Sequence, residues 1–351
     1  MRRWWRRLAV AVAVALAGLP VLTPAAGTTL VAAPLAGSEH VRGVEQTLLT
    51  YPEWFLVFSP YEYGEFIGRS APSRFPFYGH IGQFWEGYKA VFDETQRRSL
   101  DLNLGYHLMI IVIGTSTTVE YAIKSAYEML IGRLTEAMTN MPTAEDRYAA
   151  QVAQDYVRFI RVNPWYLYDF GKALSSLWQS VPATGLDMIR KWERRFALST
   201  EYLVKMGYAN LIKMGTQSIY DAPLPVTAVV VKPVPQFNAA LPQLQVIARQ
   251  PDGSALVTVP RYEGFMTYAQ AMAAQGMNFS EIAGNNAFIL VSVLTPTSWM
   301  PVNPATPLLV QPILTQPGTQ RVVLTVPVQQ LAESLRQWKA ASLQVEHLFD
   351  Y

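Results

Sequence analysis

The stretch at residues 222–242 constrains the fold most, because it carries five prolines. Proline has no backbone N–H and a fixed φ, so this stretch cannot lie inside a helix and predicts an extended linker around one short strand at 226–231. Apolar residues recur at helical spacing before it and fall in short β-type runs after it. The sequence therefore predicts an α+β protein, with a helical domain at 39–221, a proline-rich linker at 222–242 and an α+β domain at 243–351.

Helix-start signals stand at two places in the predicted helical domain. The run Ser59-Pro60-Tyr61-Glu62 matches a capping box with proline at the first helical position, and it predicts a short helix that ends near Gly68. Thr143 followed by Asp146 predicts the start of another helix, which ends before Pro164. Apolar periodicity predicts further helices at 81–97 and 185–219.

The segment at 102–119 has no formally charged residue. It is almost long enough to cross a bilayer, but its hydroxyl, amide and imidazole side chains dilute its apolar character. A buried helix and a second membrane span both remain open here. Glu120 and Lys124 follow one helical turn apart, in the order that favours an ion pair.

The run Lys191-Trp192-Glu193-Arg194-Arg195 lies within the predicted helix at 185–219. Such a cluster is typical of a solvated helix face with its single tryptophan turned inward. The alternative is a contact with anionic lipid headgroups, with Trp192 at the membrane interface.

After residue 242, the sequence alternates between patterns typical of strands and patterns typical of helices. Strands at 244–249 and 255–259 are joined by a Pro-Asp-Gly turn, and together they are counted as one element. The resulting order, β-α-β-β-α-β, predicts a ferredoxin-like domain with its helices on one face of a sheet. The remaining elements are a helix at 262–275, a strand at 287–294, a long surface excursion at 295–317, a strand at 321–326, a helix at 328–341 and a strand at 343–349.

The start of the chain determines where the protein goes. Arginines at positions 2, 3, 6 and 7 precede an uncharged, apolar run at 8–38. This pattern predicts that residues 1–38 are a secretory signal peptide or a membrane anchor, and cleavage after Ala25 and retention as an anchor both remain open. Because positive flanks stay in the cytoplasm, either outcome places the bulk of the protein outside it, as an inner-membrane-anchored, periplasmic or secreted protein.

The composition excludes some classes of function. The chain has no cysteine, so it has no disulfide, thiolate nucleophile or zinc–cysteine site. Without the four arginines near the start, the formal charge of +2 becomes −2, which does not suit a nucleic-acid partner. Hydrophobic residues make up 50% and charged residues 15%, so a membrane is the expected partner, and a protein partner or an apolar ligand stays open.

Four polar side chains set among aromatic residues are the candidate catalytic residues: Glu53, His80, His107 and Glu120. Burial among its aromatic neighbours would raise the pKa of Glu53 and suit it to proton transfer. The alternative for Glu53 is a structural carboxylate paired with Arg69 or Arg74.

The two histidines and Glu120 are residue types that bind metals. Their spacing matches no known metal motif, and a buried, hydrogen-bonded histidine is the alternative for both His80 and His107. The sequence predicts no metal site and no cofactor.

Seven blocks carry a resemblance to known sequences. In them the chain resembles a group of uncharacterised bacterial exported or membrane-anchored proteins, over most of the mature chain. The resemblance implies no activity, cofactor or catalytic residue. The blocks are LTYPEW at 49–54, SRFPFYG at 73–79, QFW at 83–85, GYH at 105–107, VEY at 119–121, KWERRF at 191–196 and VEHLFDY at 345–351.

These observations predict a non-enzymatic, exported or membrane-anchored protein of the cell envelope, with an α+β domain that contacts a partner. Two alternatives stay open. One is an extracytoplasmic enzyme that uses Glu53, His80, His107 or Glu120, for which a pocket that gathers at least two of these groups is expected. The other is a carrier or sensor of an apolar ligand, which is held in a cavity among the helices.

Overall fold

The computed structural model describes residues 37–139, 142–182, 184–185, 187–216, 225–235, 241–301 and 305–349. The predicted signal peptide or anchor at 1–38 lies outside the described residues except for its last two positions. Two parts of the predicted linker, at 222–224 and 236–240, lie outside them as well.

The described part of the first half is built from α-helices. A π-helical turn at Glu128–Gly132 and a last α-helical turn at Arg133–Glu136 extend the third of them. The predicted cap at Thr143 is confirmed, because its side chain accepts a hydrogen bond from the backbone N–H of Asp146. The helices are α1 (Gln46–Ile67), α2 (Phe77–Arg97), α3 (Leu104–Tyr127), α4 (Ala144–Ile160), α5 (Phe170–Gln179) and α6 (Met188–Thr216).

The predicted helix start at Ser59 is wrong. Helix α1 spans Gln46–Ile67 and runs through both Pro52 and Pro60. The hydroxyl of Ser59 bonds to side chains of α2 and α3 and does not cap a helix. A proline inside a helix costs about 3 kcal/mol, whereas each large apolar side chain that is fully buried contributes about 1.5–3 kcal/mol. Helix α1 buries several of them, beginning with Leu48, so packing outweighs the two prolines.

In the second half, the described residues form two antiparallel sheets, each of four strands, and two α-helices. The strand order is β2-β3-β1-β4 in one sheet and β6-β7-β5-β8 in the other. The helices are α7 (Glu263–Ala274) and α8 (Leu331–Ala340). The strands are β1 (Val226–Lys232), β2 (Gln245–Arg249), β3 (Ala255–Pro260), β4 (Asn278–Ile282), β5 (Phe288–Pro296), β6 (Thr306–Pro312), β7 (Thr319–Pro327) and β8 (Gln344–Phe349).

The α+β class is confirmed, but a ferredoxin-like domain has one sheet and the structure has two. Strands β4 and β6 account for the difference, because neither was predicted. Strand β6 lies inside the predicted surface excursion at 295–317, where its two prolines hide the strand pattern. Strand β1, predicted as part of the linker, pairs with both β3 and β4 and is therefore an interior strand of its sheet.

The two sheets repeat one arrangement along the chain. In each case, the chain forms three strands, then a helix and then a fourth strand. Within the sheet, these strands lie side by side in the order second, third, first, fourth. Val226 of β1 pairs with Pro260 of β3, and Phe288 of β5 pairs with Pro327 of β7 in the same register. Strands β3 and β7 both end in Thr-Val-Pro. We call residues 226–282 module 1 and residues 288–349 module 2.

The two largest hydrophobic clusters among the described residues both involve the sheets. The inner faces of both sheets enclose one cluster together with α7 and α8. The outer face of the module 2 sheet forms another with α1 and α2, in which Leu48, Phe55 and Phe84 contribute from the helices and Leu290 and Phe349 from the strands. The helical half and module 2 therefore share a core.

Candidate functional site

Glu53 lies in the middle of α1, where its carboxylate meets the start of α3. The hydroxyl of Tyr106 donates to Oε2 of Glu53 at 2.5 Å. Burial raises the pKa of Glu53, as the sequence predicts, although the Tyr106 hydrogen bond and the charge of Arg261 act against it. The predicted alternative partners, Arg69 and Arg74, are not the groups that bind this carboxylate.

His80 lies at the centre of a buried polar cluster between α1, α2 and α3. Oγ of Ser59 is 2.9 Å from Nδ1 of His80 and 2.6 Å from the hydroxyl of Tyr121. On its other side, Nε2 of His80 is 3.6 Å from Oε2 of Glu62. Burial and the nearby charge of Arg321 lower the pKa of His80 to about 3, so the imidazole is neutral at pH 7.

Serine, histidine and glutamate in this order are the components of a nucleophilic triad. Ser59 is only 1% exposed, however, and its hydroxyl is already bonded to Tyr121. A triad requires a nucleophile that a substrate can reach. We therefore interpret the cluster as a structural hydrogen-bond network, which is the predicted alternative for His80.

The network continues into module 2 through Arg321. Nη2 of Arg321 donates to Oε1 of Glu62 at 3.0 Å, and its Nε donates to Oε2 of Glu346 at 2.6 Å. The guanidinium also lies 4.4 Å from the ring centre of Phe58. Burial raises the pKa of Glu62, while the charge of Arg321 opposes the shift. This contact fixes α1 to strands β7 and β8.

His107 and Glu120 each have partners of their own. Nδ1 of His107 is 3.1 Å from the hydroxyl of Tyr88, and burial lowers the pKa of His107. The predicted ion pair of Glu120 and Lys124 is confirmed, with Oε1 and Nζ 3.0 Å apart. Lys124 also donates to Glu201 of α6 at 2.8 Å, a partner that was not predicted.

The four candidate catalytic residues therefore do not form one site. Glu53, His80, His107 and Glu120 are hydrogen-bonded or ion-paired to different side chains. Among the residues that the structure describes, no group of three or more histidine, aspartate or glutamate side chains is placed to hold a metal ion.

Helix α6 carries its charged side chains on the inside. Arg190, Arg194 and Arg195 are 2%, 3% and 1% exposed, respectively. The prediction that this run forms a solvated face with Trp192 turned inward is therefore wrong, and Trp192 is 48% exposed. The arginines bind carboxylates from other segments: Arg194 to Glu128 at 2.8 Å, Arg190 to Asp146 at 2.9 Å and Arg195 to Glu145 at 2.9 Å.

The π-helical turn after α3 contributes to this buried charge network. Glu128, its first residue, is buried against Arg194, whose charge opposes the rise in the Glu128 pKa that burial causes. Gly132 leaves room for that carboxylate, because a Cβ at this position would overlap Oε2 of Glu128. The turn thus places an acidic side chain inward on a helix whose outer side is apolar.

The outer surfaces of α3 and α6 are apolar and adjoin each other. The helices are antiparallel, since Lys124 contacts Glu201 whereas Tyr127, further along α3, contacts Phe196, earlier in α6. Across 102–132 and 188–212, the most accessible charged side chain is Glu120, which is 42% exposed and paired, and the exposed Arg133 lies at the end of this surface, beside Leu134. We call the following exposed residues the apolar face: Ile111, Val119, Ile123, Leu130 and Leu134 of α3 and its extension, and Ile189, Trp192, Phe196, Leu203 and Val204 of α6.

The segment at 102–119, for which a buried helix and a membrane span were both open, belongs to a helix that is buried on one side only. Within the described ranges, no helix combines the length and apolar character needed to cross a membrane.

Comparison of the chain with protein-family models, curated proteins and solved structures finds no match. The candidate functional site is therefore the apolar face, which sequence patterns left undetected because periodicity does not show which side of a helix points inward.

Proposed function

We propose that this chain is a non-enzymatic, membrane-anchored protein of the cell envelope whose helical half lies against the lipid bilayer through the apolar face. The observation that carries this proposal is the inverted polarity of α6, whose arginines and Glu193 are buried beside Glu128, together with the large apolar side chains that α3 and α6 expose. Leu130 is 72% exposed, and Ile123 and Phe196 are each 64% exposed.

Energetics favour an apolar environment for this face. Full transfer of a large apolar side chain out of water stabilises it by about 1.5–3 kcal/mol, and the ten side chains of the apolar face, which are 41–72% exposed, would each gain roughly the corresponding fraction. Contiguous apolar surface of this kind marks a contact with a membrane or a protein. The exposed Trp192 suits the boundary between headgroups and acyl chains, where tryptophan is enriched.

The start of the chain supports the choice of a bilayer. The arginines and the uncharged run within residues 1–38 match the pattern of a membrane anchor or a signal peptide. An anchor would hold the helical half at a high effective concentration next to lipid. A phosphatase fused after Asp221 should then be active outside the cytoplasm. Activity of a cytoplasmic reporter at the same junction, with an inactive phosphatase, would contradict this location.

Contact with lipid can be measured through Trp192. The full-length chain is reconstituted in vesicles with brominated acyl chains, which quench tryptophan fluorescence at short range. We expect strong quenching, and we expect the Trp192→Phe variant to lose a distinct share of it because Trp192 touches the acyl chains.

Trp299 of module 2 provides the matched control, since Trp299→Phe removes a tryptophan that is not part of the apolar face. If both variants lose the same quenched share, Trp192 is not at the bilayer. If Trp192 is unquenched and single-cysteine variants of the apolar face cross-link between chains, the face is covered by a second copy and the proposal is wrong.

A further inference from the structure

A cavity of about 330 Å³ lies between α7, α8 and the start of β8. Its inner wall includes Leu335, which is buried, and Val345, which is half-buried. Gln270 and the exposed side chains of Arg336 and Lys339 line its mouth. The lining thus combines apolar side chains with polar and basic ones at its exposed edge.

The repeat of the two modules allows the ends of α7 and α8 to be aligned. The backbone N–H of Gly276 donates to the carbonyl of Ala273, and that of Ser342 donates to the carbonyl of Lys339, both at 3.0 Å. Gly276 and Ser342 both have positive φ, at 83° and 54°. Ala273 of α7 and Lys339 of α8 therefore occupy matching positions.

Gln270 and Arg336 then match as well, because each stands three residues earlier in its helix. The guanidinium of Arg336 donates to the carbonyl of Ala273 at 3.2 Å and to Oδ1 of Asn278 at 3.4 Å. This long side chain covers part of the end of α7, where Ala273 and Ala274 also line the cavity. Near the end of α8 the matching side chain is the shorter Gln270, which leaves the cavity open on that side.

The charge at the mouth selects the ligand. Arg336 and Lys339 are the charged residues among those that line the cavity, and both are cations. A basic opening attracts an anionic head group, and an apolar interior of this volume accepts a short aliphatic chain. We propose that the cavity binds a small aliphatic carboxylate, with its head group at Lys339 and Arg336 and its chain against Leu335 and Val345.

Hexanoate is a suitable probe because it carries both features. Saturation-transfer NMR with the full-length chain should show transfer to the hexanoate chain, and less transfer to hexanol or hexylammonium. Lys339→Gln lies at an exposed helix position and should keep the fold. It should weaken hexanoate binding by roughly fivefold, the effect of losing one partly exposed charge contact.

Gln270→Arg separates a specific cavity from general attraction to a basic surface. The longer arginine side chain should occupy the cavity beside α8, so hexanoate binding should fall at least tenfold although the surface becomes more basic. Stronger or unchanged binding to Gln270→Arg would overturn the proposal, and so would the absence of transfer with the parent chain. Circular dichroism and the melting temperature show whether each variant is folded.

Discussion

The buried charges of α6 lead to a prediction about the pair formed by Arg195 and Glu145, whose side chains are 1% and 0% exposed. Nε of Arg195 donates to Oε1 of Glu145 at 2.9 Å, and its other nitrogens donate to the carbonyls of Leu177 and Val181. Glu145→Gln leaves the guanidinium buried without a countercharge. Breaking a buried pair in this way costs about 3–5 kcal/mol of unfolding free energy. At about 2–4 °C per kcal/mol, the melting temperature should fall by roughly 6–20 °C.

Thermal unfolding followed by circular dichroism measures this change, with Asp93→Asn as the control. Asp93 forms an ion pair with Lys89, and the two side chains are 57% and 75% exposed, so the control should change the melting temperature little. The double variant Glu145→Leu with Arg195→Met should recover part of the loss, because the pair is removed together. Equal effects of Glu145→Gln and Asp93→Asn would refute the argument that α6 has its charges inside.

Three further predictions concern pH, the Lys124 cluster and the module boundary. Burial holds the pKa of His80 at about 3 in the folded chain, below its ordinary value of 6.5, so the unfolded chain binds more protons between these two values. Stability should therefore fall as the pH drops from 7 to 4.5, by an amount on the order of 2 kcal/mol. Urea unfolding should show a weaker pH dependence for His80→Gln, and an unchanged dependence would count against it. Glu201→Gln should lower the melting temperature more than Glu120→Gln, because Glu201 binds both neighbouring lysines at 2.8 Å and Glu120 is 42% exposed; equal losses would contradict this ranking. A fragment at 222–351 should have native-like strand content and a fragment at 243–351 should not, since the shorter one lacks interior strand β1; similar circular dichroism of the two would disprove the role of β1.

Sequence patterns correctly predicted those structural elements that depend only on residues close together in the chain. The cap at Thr143, the end of α2 at Arg97 and the hairpin of β2 and β3 follow from side chains within a few residues of one another, although α2 begins at Phe77, four residues before its predicted start. The missed features depend on distant residues. Ser59 resembles a helix cap until His80 and Tyr121 are placed beside it, and the partner of Glu62 is Arg321, far along the chain.

The polarity of α6 shows the same limit at the candidate site. Its periodicity separates an apolar stripe with Trp192 and Phe196 from a charged stripe with Arg194 and Arg195, but both orientations give the same pattern. The orientation depends on Glu128 and on the carboxylates of α4, which neutralise the arginines from outside the helix. Edge strand β6 was missed for a different reason, since its prolines mask a strand that pairs on one side only.

The contact of the apolar face with lipid is tested most directly by spin labels at single cysteines. The natural chain has no cysteine, so Ile123→Cys, Phe196→Cys and Leu203→Cys can each be labelled alone, with Ile247→Cys of β2 as an exposed control. In vesicles, we predict that labels at 123, 196 and 203 collide with oxygen, which concentrates in acyl chains, and are protected from a water-soluble nickel reagent, while the label at 247 shows the reverse. Nickel accessibility at the three positions equal to that at 247 would contradict the account.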